Sequence, residues 1–236
     1  MAARPLAPLV GSPSAILDAN VLIAPFLRDV MLSLADAGLY RAHWTDEITS
    51  EWTRNALAKW PGATAVKLRR TVEVMRTHFP DACVHSYERH LPRVDRVDAK
   101  DRHVAAAALE VVGRVPAGSV TVIVTANLKD FPEPALADVG VVAADPDSFV
   151  LALLSFAPEV GVPALERHRT RLKHPPLTPV NYLDLLLRSG LVGTARALAD
   201  GVHPNDDARD PADHDASTSA AQDRECDSTT GGAQAD

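Results

Sequence analysis

Short apolar runs alternate with helix-periodic stretches through the first 155 residues. Residues 14–18, Ser-Ala-Ile-Leu-Asp, open with an apolar run that reads as a buried strand and closes on an acid. A helix is predicted over 25–37 with Gly38 behind it, a short strand over 40–44, and a helix capped by Thr45 or Asp46 that runs to Lys59. Pro61 starts a further helix reaching about residue 79, and 82–86 reads as a strand. Asp98 caps an alanine-rich helix over 100–112. Residues 120–125 form the clearest buried strand, 139–144 a second, and 146–154 a helix. Alternating strands and helices imply an α/β fold with a mostly parallel sheet covered on both faces.

Past residue 155 the pattern changes. Pro158, Pro163, Pro175, Pro176 and Pro179 mark breaks between helices predicted over 164–173, 179–188 and 191–199. The expected organisation is a disordered lead-in over 1–13, an α/β domain over 14–155, a small helical extension over 156–200 and a disordered acidic tail over 201–236. That tail has too few apolar residues to offset its ordering entropy.

Charge refines this reading. The 236-residue chain carries a net charge of −7, but ten acidic and two basic residues fall from Asp200 onward. The preceding 199 residues hold 22 basic and 21 acidic side chains, so the folded part is compatible with a nucleic-acid partner. Two cysteines, Cys83 and Cys226, are too few and too far apart for a disulfide framework or a zinc site, which fits a reducing compartment. No secretion signal is evident, and no stretch approaches the roughly 18 apolar residues of a membrane span. A soluble, cytoplasmic protein is expected.

The informative feature is where the acids fall. Ligands of an open parallel sheet bind beyond the carboxyl ends of its strands. Asp18 ends the first strand, and Asn127 and Asp130 lie just past the strand over 120–125. Asp98 and Asp101 are expected one turn apart at the start of a helix, and Glu47 and Glu51 share a helix face at i and i+4. Each acid taken singly has an ordinary reading, as a helix cap, a dipole partner or a solvated side chain. Asp18, at the end of an apolar strand, is the hardest to explain that way. Two carboxylates about 4 Å apart repel by roughly 4 kcal/mol at an effective dielectric of about 20, so a cluster of four needs protons or a cation. Oxygen ligands suit Mg²⁺ or Mn²⁺, the ions of phosphoryl chemistry.

These residues resemble the PIN domain family, the ribonuclease fold of VapC-type toxins in bacterial toxin–antitoxin pairs, over roughly 14–155. Ile16-Leu-Asp-Ala-Asn-Val-Leu22 is similar to that family's first-strand motif, and Thr45-Asp-Glu-Ile-Thr-Ser-Glu51-Trp-Thr-Arg-Asn-Ala-Leu57 to its second, with Glu51 preferred over Glu47. Asp98-Ala-Lys-Asp101-Arg-His-Val-Ala resembles the third, whose second Asp is the main ligand, and Thr125-Ala-Asn127-Leu-Lys-Asp130-Phe-Pro the fourth. The fourth departs from members with Asp in the first slot, so either Asn127 or Asp130 faces the metal. The resemblance implies a PIN-like α/β/α sandwich, cleavage of RNA dependent on Mg²⁺ (or Mn²⁺), and inhibition by a cognate antitoxin protein. Residues 160–199 are similar to an extension in a subset of these toxins. Self-association as a homo-oligomer stays open.

The expected site has Asp18, Asp101 and Asp130 on one divalent cation, with Glu51 and Asp98 completing the pocket and Asn127 beside Asp130. Water as nucleophile leaves 5′-phosphate and 3′-hydroxyl ends. Thr125 is placed to donate to a phosphate or an acid, while His103, two positions after Asp101, is expected to point elsewhere. Arg89, His90, Arg93, Arg96, Lys100 and Arg102 form the densest basic run, and Lys67, Arg69, Arg70 and Arg76 a second, both suited to phosphates or to solvent. Trp44, Trp52 and Trp60 suit core packing or a partner helix better than base stacking. A nucleotide-cradling GxxxxGK[ST] loop is absent, and Asn20 stands where a haloacid-dehalogenase phosphatase needs a second Asp. The alternative from another class is a catalytically inactive PIN-fold module that binds RNA or protein.

Overall fold

The computed structural model describes residues 12–116 and 118–201; the expected lead-in up to residue 11 and the acidic tail from residue 202 lie outside them. Ser14–Leu17 (β1) and Thr121–Val124 (β3) are buried at all four positions. Runs with no polar face to offer water take the middle of a sheet. Arg41–His43 (β2) and Val141–Ala144 (β4) expose one residue or more and form the edges. The order is β2-β1-β3-β4 with every pair parallel, and Ile16 pairs with both His43 and Ile123. The chain leaves β1 for β2 on one side and returns to β3 on the other. The crevice at the carboxyl ends of β1 and β3 is therefore the topological switch point, where α/β sheets bind ligands.

Helices complete an α/β/α fold: Ala19–Leu22 (α1), Pro25–Asp36 (α2), Asp46–Lys59 (α3), Ala65–His78 (α4), Arg102–Val112 (α5), Glu133–Ala137 (α6), Pro146–Phe156 (α7), Pro158–Arg171 (α8), Pro179–Arg188 (α9) and Val192–Asp200 (α10). The alanine-rich α5 is buried from His103 to Val111, and its small side chains let it lie close on β1, β3 and β4. Trp44 and Trp52 are 1% and 0% exposed, so they are core residues, as packing favoured.

Several boundaries move. The helix expected from residue 100 starts at Arg102, and its N-cap is Asp101, not Asp98. The strand over 82–86 reduces to one bridge, Trp44 to Cys83, followed by a 3₁₀ turn over Tyr87–Arg93. Pro163 does not break the chain but lies inside α8, beside the buried Ala164 and Leu165. That burial outweighs the one backbone bond a proline removes. Among the described residues no helix is long and apolar enough to cross a membrane.

The C-terminal helices are fastened by polar contacts as well as apolar ones. The Asp147 carboxylate on α7 accepts hydrogen bonds from Gly193 N (2.7 Å), Thr194 N (2.9 Å) and Thr194 Oγ1 (2.7 Å). These are unsatisfied first-turn donors of α10, capped across space rather than from their own chain segment. A Cβ at Gly193 would meet Leu151 Cδ1 at 2.6 Å and Asp147 Oδ2 at 3.1 Å, so a side chain there would have to displace the Leu151 tip. Asp147→Ala is expected to lower stability by about 2 kcal/mol, read as a reduced denaturant midpoint. An unchanged midpoint would show that α10 holds without this cap.

Candidate metal centre

Asp18 caps α1 at the carboxyl end of β1 and is 5% exposed. Its Oδ1 accepts from Ala19 N (2.6 Å), and its Oδ2 accepts from Thr125 Oγ1 (2.7 Å) and Asn20 Nδ2 (2.5 Å). Thr125, fully buried one residue past β3, also accepts from Asn20 Nδ2 (2.9 Å) and Asn127 N (3.0 Å). Asn20 Oδ1 accepts from Ala126 N at 3.0 Å. A polar lattice thus locks the two central strand ends together and fixes one acid between them.

Asp101 is held differently. It is the N-cap of α5, yet its side chain makes no capping bond, and its buried Oδ2 has no hydrogen-bond donor. Lys100 Nζ lies 3.7 Å away. Burial pushes the Asp101 carboxyl up to about 6, and the Asp130 and Asp18 carboxylates push it the same way against Lys100. Asp130 closes the group from the short 3₁₀ turn Leu128–Asp130. Its Oδ2 accepts from Lys100 Nζ (2.9 Å) and from Asn127 Nδ2, and Lys100 holds the carboxyl below its ordinary range. Phe131, 3% exposed, anchors the turn.

Asp18, Asp101 and Asp130 therefore converge on the β1–β3 crevice. They do not bring three oxygens within 4.8 Å of one another, as Asp46, Cys83 and His85 do among the described residues with their ligand atoms. Ionised carboxylates repel, and here Lys100 and the Asn127 amide supply the compensating positive charge and dipole. Asp98 is exposed; its Oδ1 accepts from Lys100 N (3.2 Å), and its own N–H reaches Asp130 O (3.5 Å), so it sits at the rim. Glu51 shows no contact with the three acids. Its Oε2 lies 3.9 Å from His103 Nε2, while Glu47 Oε1 lies 3.8 Å from His103 Nδ1.

His103 points away from the three acids, as expected, and its ring fills the space between α5 and the two glutamates of α3. Spacing within one helix could not reveal this, because the partner helix is 50 residues upstream. Asn20 was also missed as a site residue; its closeness to Asp18 in the Asp-Ala-Asn sequence was the available signal. The donor set suits a hard divalent cation: all-oxygen ligands, one of them a buried carboxylate oxygen with no donor.

Residues 146–200, which span α7 to α10, match the model of the VapC50 C-terminal domain. A Mycobacterium tuberculosis protein named "Putative ribonuclease VapC50" is 38% identical over 87 residues, covering 37% of this chain and 47% of that protein. The similarity to VapC50 is thus confined to part of each chain. The chain matches about half the length of that curated relative. No solved structure matches it.

The basic run is mostly engaged internally. Arg89 and His90 pair with Glu110 Oε2 at 2.6 and 3.0 Å, and Arg114 pairs with its Oε1 at 2.9 Å. Burial alone would raise the Glu110 carboxyl, but the Arg114 and Arg89 guanidiniums and the hydrogen bond with His90 hold it below the usual range. Arg96 pairs with Asp138 at 3.0 Å, and Arg102 donates to Val97 O (3.0 Å) and Asp95 O (2.5 Å). These pairs shape the loop that delivers Asp101 more than they prepare a phosphate track.

Proposed function

We propose that this chain is a metal-dependent endoribonuclease, the toxin of a toxin–antitoxin pair, which hydrolyses RNA phosphodiesters to 5′-phosphate and 3′-hydroxyl ends. The observation that carries the reading is the buried Asp101 Oδ2 without a donor, beside Asp130 and within electrostatic reach of Asp18. Asp18, Asp101 and Asp130 are the ligands for Mg²⁺ or Mn²⁺. When bound, such an ion lowers the pKa of the attacking water and offsets charge on the phosphate. Thr125 and Asn20 hold the Asp18 carboxylate in its orientation. Asn127 positions Asp130 rather than acting as a ligand itself, since its amide donates to the Asp130 carboxylate. Glu51 and Asp98 complete the pocket through water. Residues 14–155 form the nuclease portion and 156–200 the extension, with α7 common to the nuclease core and to the matched C-terminal segment. RNA as substrate and an antitoxin protein as inhibitor place the work in the cytoplasm.

The test is incubation of the purified chain with RNA in Mg²⁺, Mn²⁺ or chelator, with both ends of each product mapped. Metal-dependent cuts with 5′-phosphate ends are expected. Ends carrying a 2′,3′-cyclic phosphate would refute the route. RNA binding without cleavage in either metal would favour the inactive binding module. Asn127→Ala is expected to lower kcat about 10- to 100-fold, the usual scale for a residue that orients a ligand, with RNA affinity retained. An unchanged kcat would remove Asn127 from the site.

A further inference from the structure

Two cysteines far apart in the sequence spoke against a zinc site, but the fold gathers a carboxylate and an imidazole around one of them. The structure assigns a second, mixed-ligand metal site, which we propose takes Zn²⁺ or a similar borderline-soft divalent cation, at Asp46, Cys83 and His85. One carboxylate oxygen, the thiol sulfur and one imidazole nitrogen lie within 4.8 Å of one another. Cys83 Sγ donates to Asp46 Oδ1 at 3.5 Å. Carboxylate, thiolate and imidazole are the three zinc ligand types, and three protein ligands leave a position for water. The acids of the β1–β3 crevice offer only oxygen, which favours a harder ion, so the two sites differ in the metal they select.

The backbone around this set is fixed on both sides. Trp44 N donates to Ala82 O (3.0 Å) and Val84 N to Trp44 O (2.8 Å), which ties the segment to the start of α3. Ala82 and Val84 are 3% and 1% exposed, so extended-chain alternation turns Cys83 and His85 outward together on the other face. Asp46, the first residue of α3, comes up beside them. Arg114 Nη2 holds His85 O at 3.1 Å, and Arg114 is itself anchored on the buried Glu110. Tyr87 OH donates to Glu47 Oε2 at 2.8 Å, one residue after Asp46. The three side chains thus stand on restrained backbone at the edge of the sheet. The competing cation is Arg76, whose Nη2 lies 2.7 Å from Asp46 Oδ1. Zn²⁺ displaces it and staples α3 to the 82–87 segment.

The test is a Co²⁺ titration of the untagged full-length chain bearing Cys226→Ser, which leaves Cys83 as the single thiol. A thiolate-to-Co²⁺ charge-transfer band saturating at one equivalent is expected, and Zn²⁺ should bleach it. Cys83→Ser should abolish the band. Asp46→Ala and His85→Ala should each weaken Co²⁺ binding about tenfold or more. Both of those side chains are exposed, so these variants keep the reading available if Cys83→Ser folds poorly. Asp101→Asn should leave the band unchanged, which separates this site from the crevice. Absence of a charge-transfer band, or full Co²⁺ affinity in both Asp46→Ala and His85→Ala, would overturn the assignment.

Discussion

Asp101→Asn is expected to reduce RNA cleavage by about 10³-fold or more while raising the melting temperature measured in chelator. Both effects have one cause. The Asp101 carboxylate is buried, has an oxygen without a donor, and feels the charges of Asp130 and Asp18. Without a bound metal ion, burial and these neighbouring carboxylates disfavour its charged form, and Lys100 offsets them only in part. The amide keeps the shape and removes the charge, so the fold gains what the site loses. Saturating Mg²⁺ should stabilise the unmodified chain more than the variant, because only a site that binds the ion gains mass-action stabilisation. A variant less stable in chelator would mean that Asp101 serves the fold, as an ordinary helix cap does. Retained cleavage would remove it from the chemistry.

The second large effect is on stability against pH. His168 on α8 is 3% exposed and packs between Phe26 of α2 and Tyr182 of α9, with ring centroids 5.5 and 5.6 Å away. Burial, helped by Arg171, lowers its pKa to about 4. The unfolded chain takes up a proton near pH 6.5 and the folded chain only near 4. The stability contribution is therefore complete above pH 6.5 and is lost as pH falls from there to about 4. At 1.36 kcal/mol per pKa unit the loss is on the order of 3 kcal/mol. His43 shifts in the same direction, also to about 4, and adds to the acid sensitivity. His168→Gln, which keeps a partner for Tyr182, should unfold with a visibly flatter pH dependence between 7 and 4.5 in denaturant melts. Identical pH profiles for the two proteins would contradict the assignment. Because His168 joins the extension to α2, its protonation is expected to loosen that junction first.

The legible parts of this protein were those set by local pattern. The β1 and β3 runs, the helix over Pro179–Arg188 and the acid closing the first strand all follow from apolar periodicity and its interruptions. Asp101 was legible as a candidate but not in its setting. Asp98 and Asp101 both look like helix caps, and only tertiary packing decides that the helix waits until Arg102 and that the Asp101 side chain turns inward. The 3₁₀ turn over Tyr87–Arg93 has no periodicity to detect; it is held by Arg89 and His90 reaching the buried Glu110. The same contacts explain why a run of cations that suggested phosphate binding is largely paired. His103 and the Asp46–Cys83–His85 group were invisible for one reason: each joins elements far apart in the chain, and no spacing rule connects them.

The carboxylates of the β1–β3 crevice are proposed to hold a divalent cation. A Mn²⁺-soaked crystal, read by anomalous scattering, tests this most directly. The predicted result is a peak between Asp18, Asp101 and Asp130, with the Lys100 ammonium withdrawn from Asp130, and no such peak in the Asp101→Asn crystal. A crevice without Mn²⁺ at saturating concentration, or a peak that survives the Asp101 change, would contradict the account.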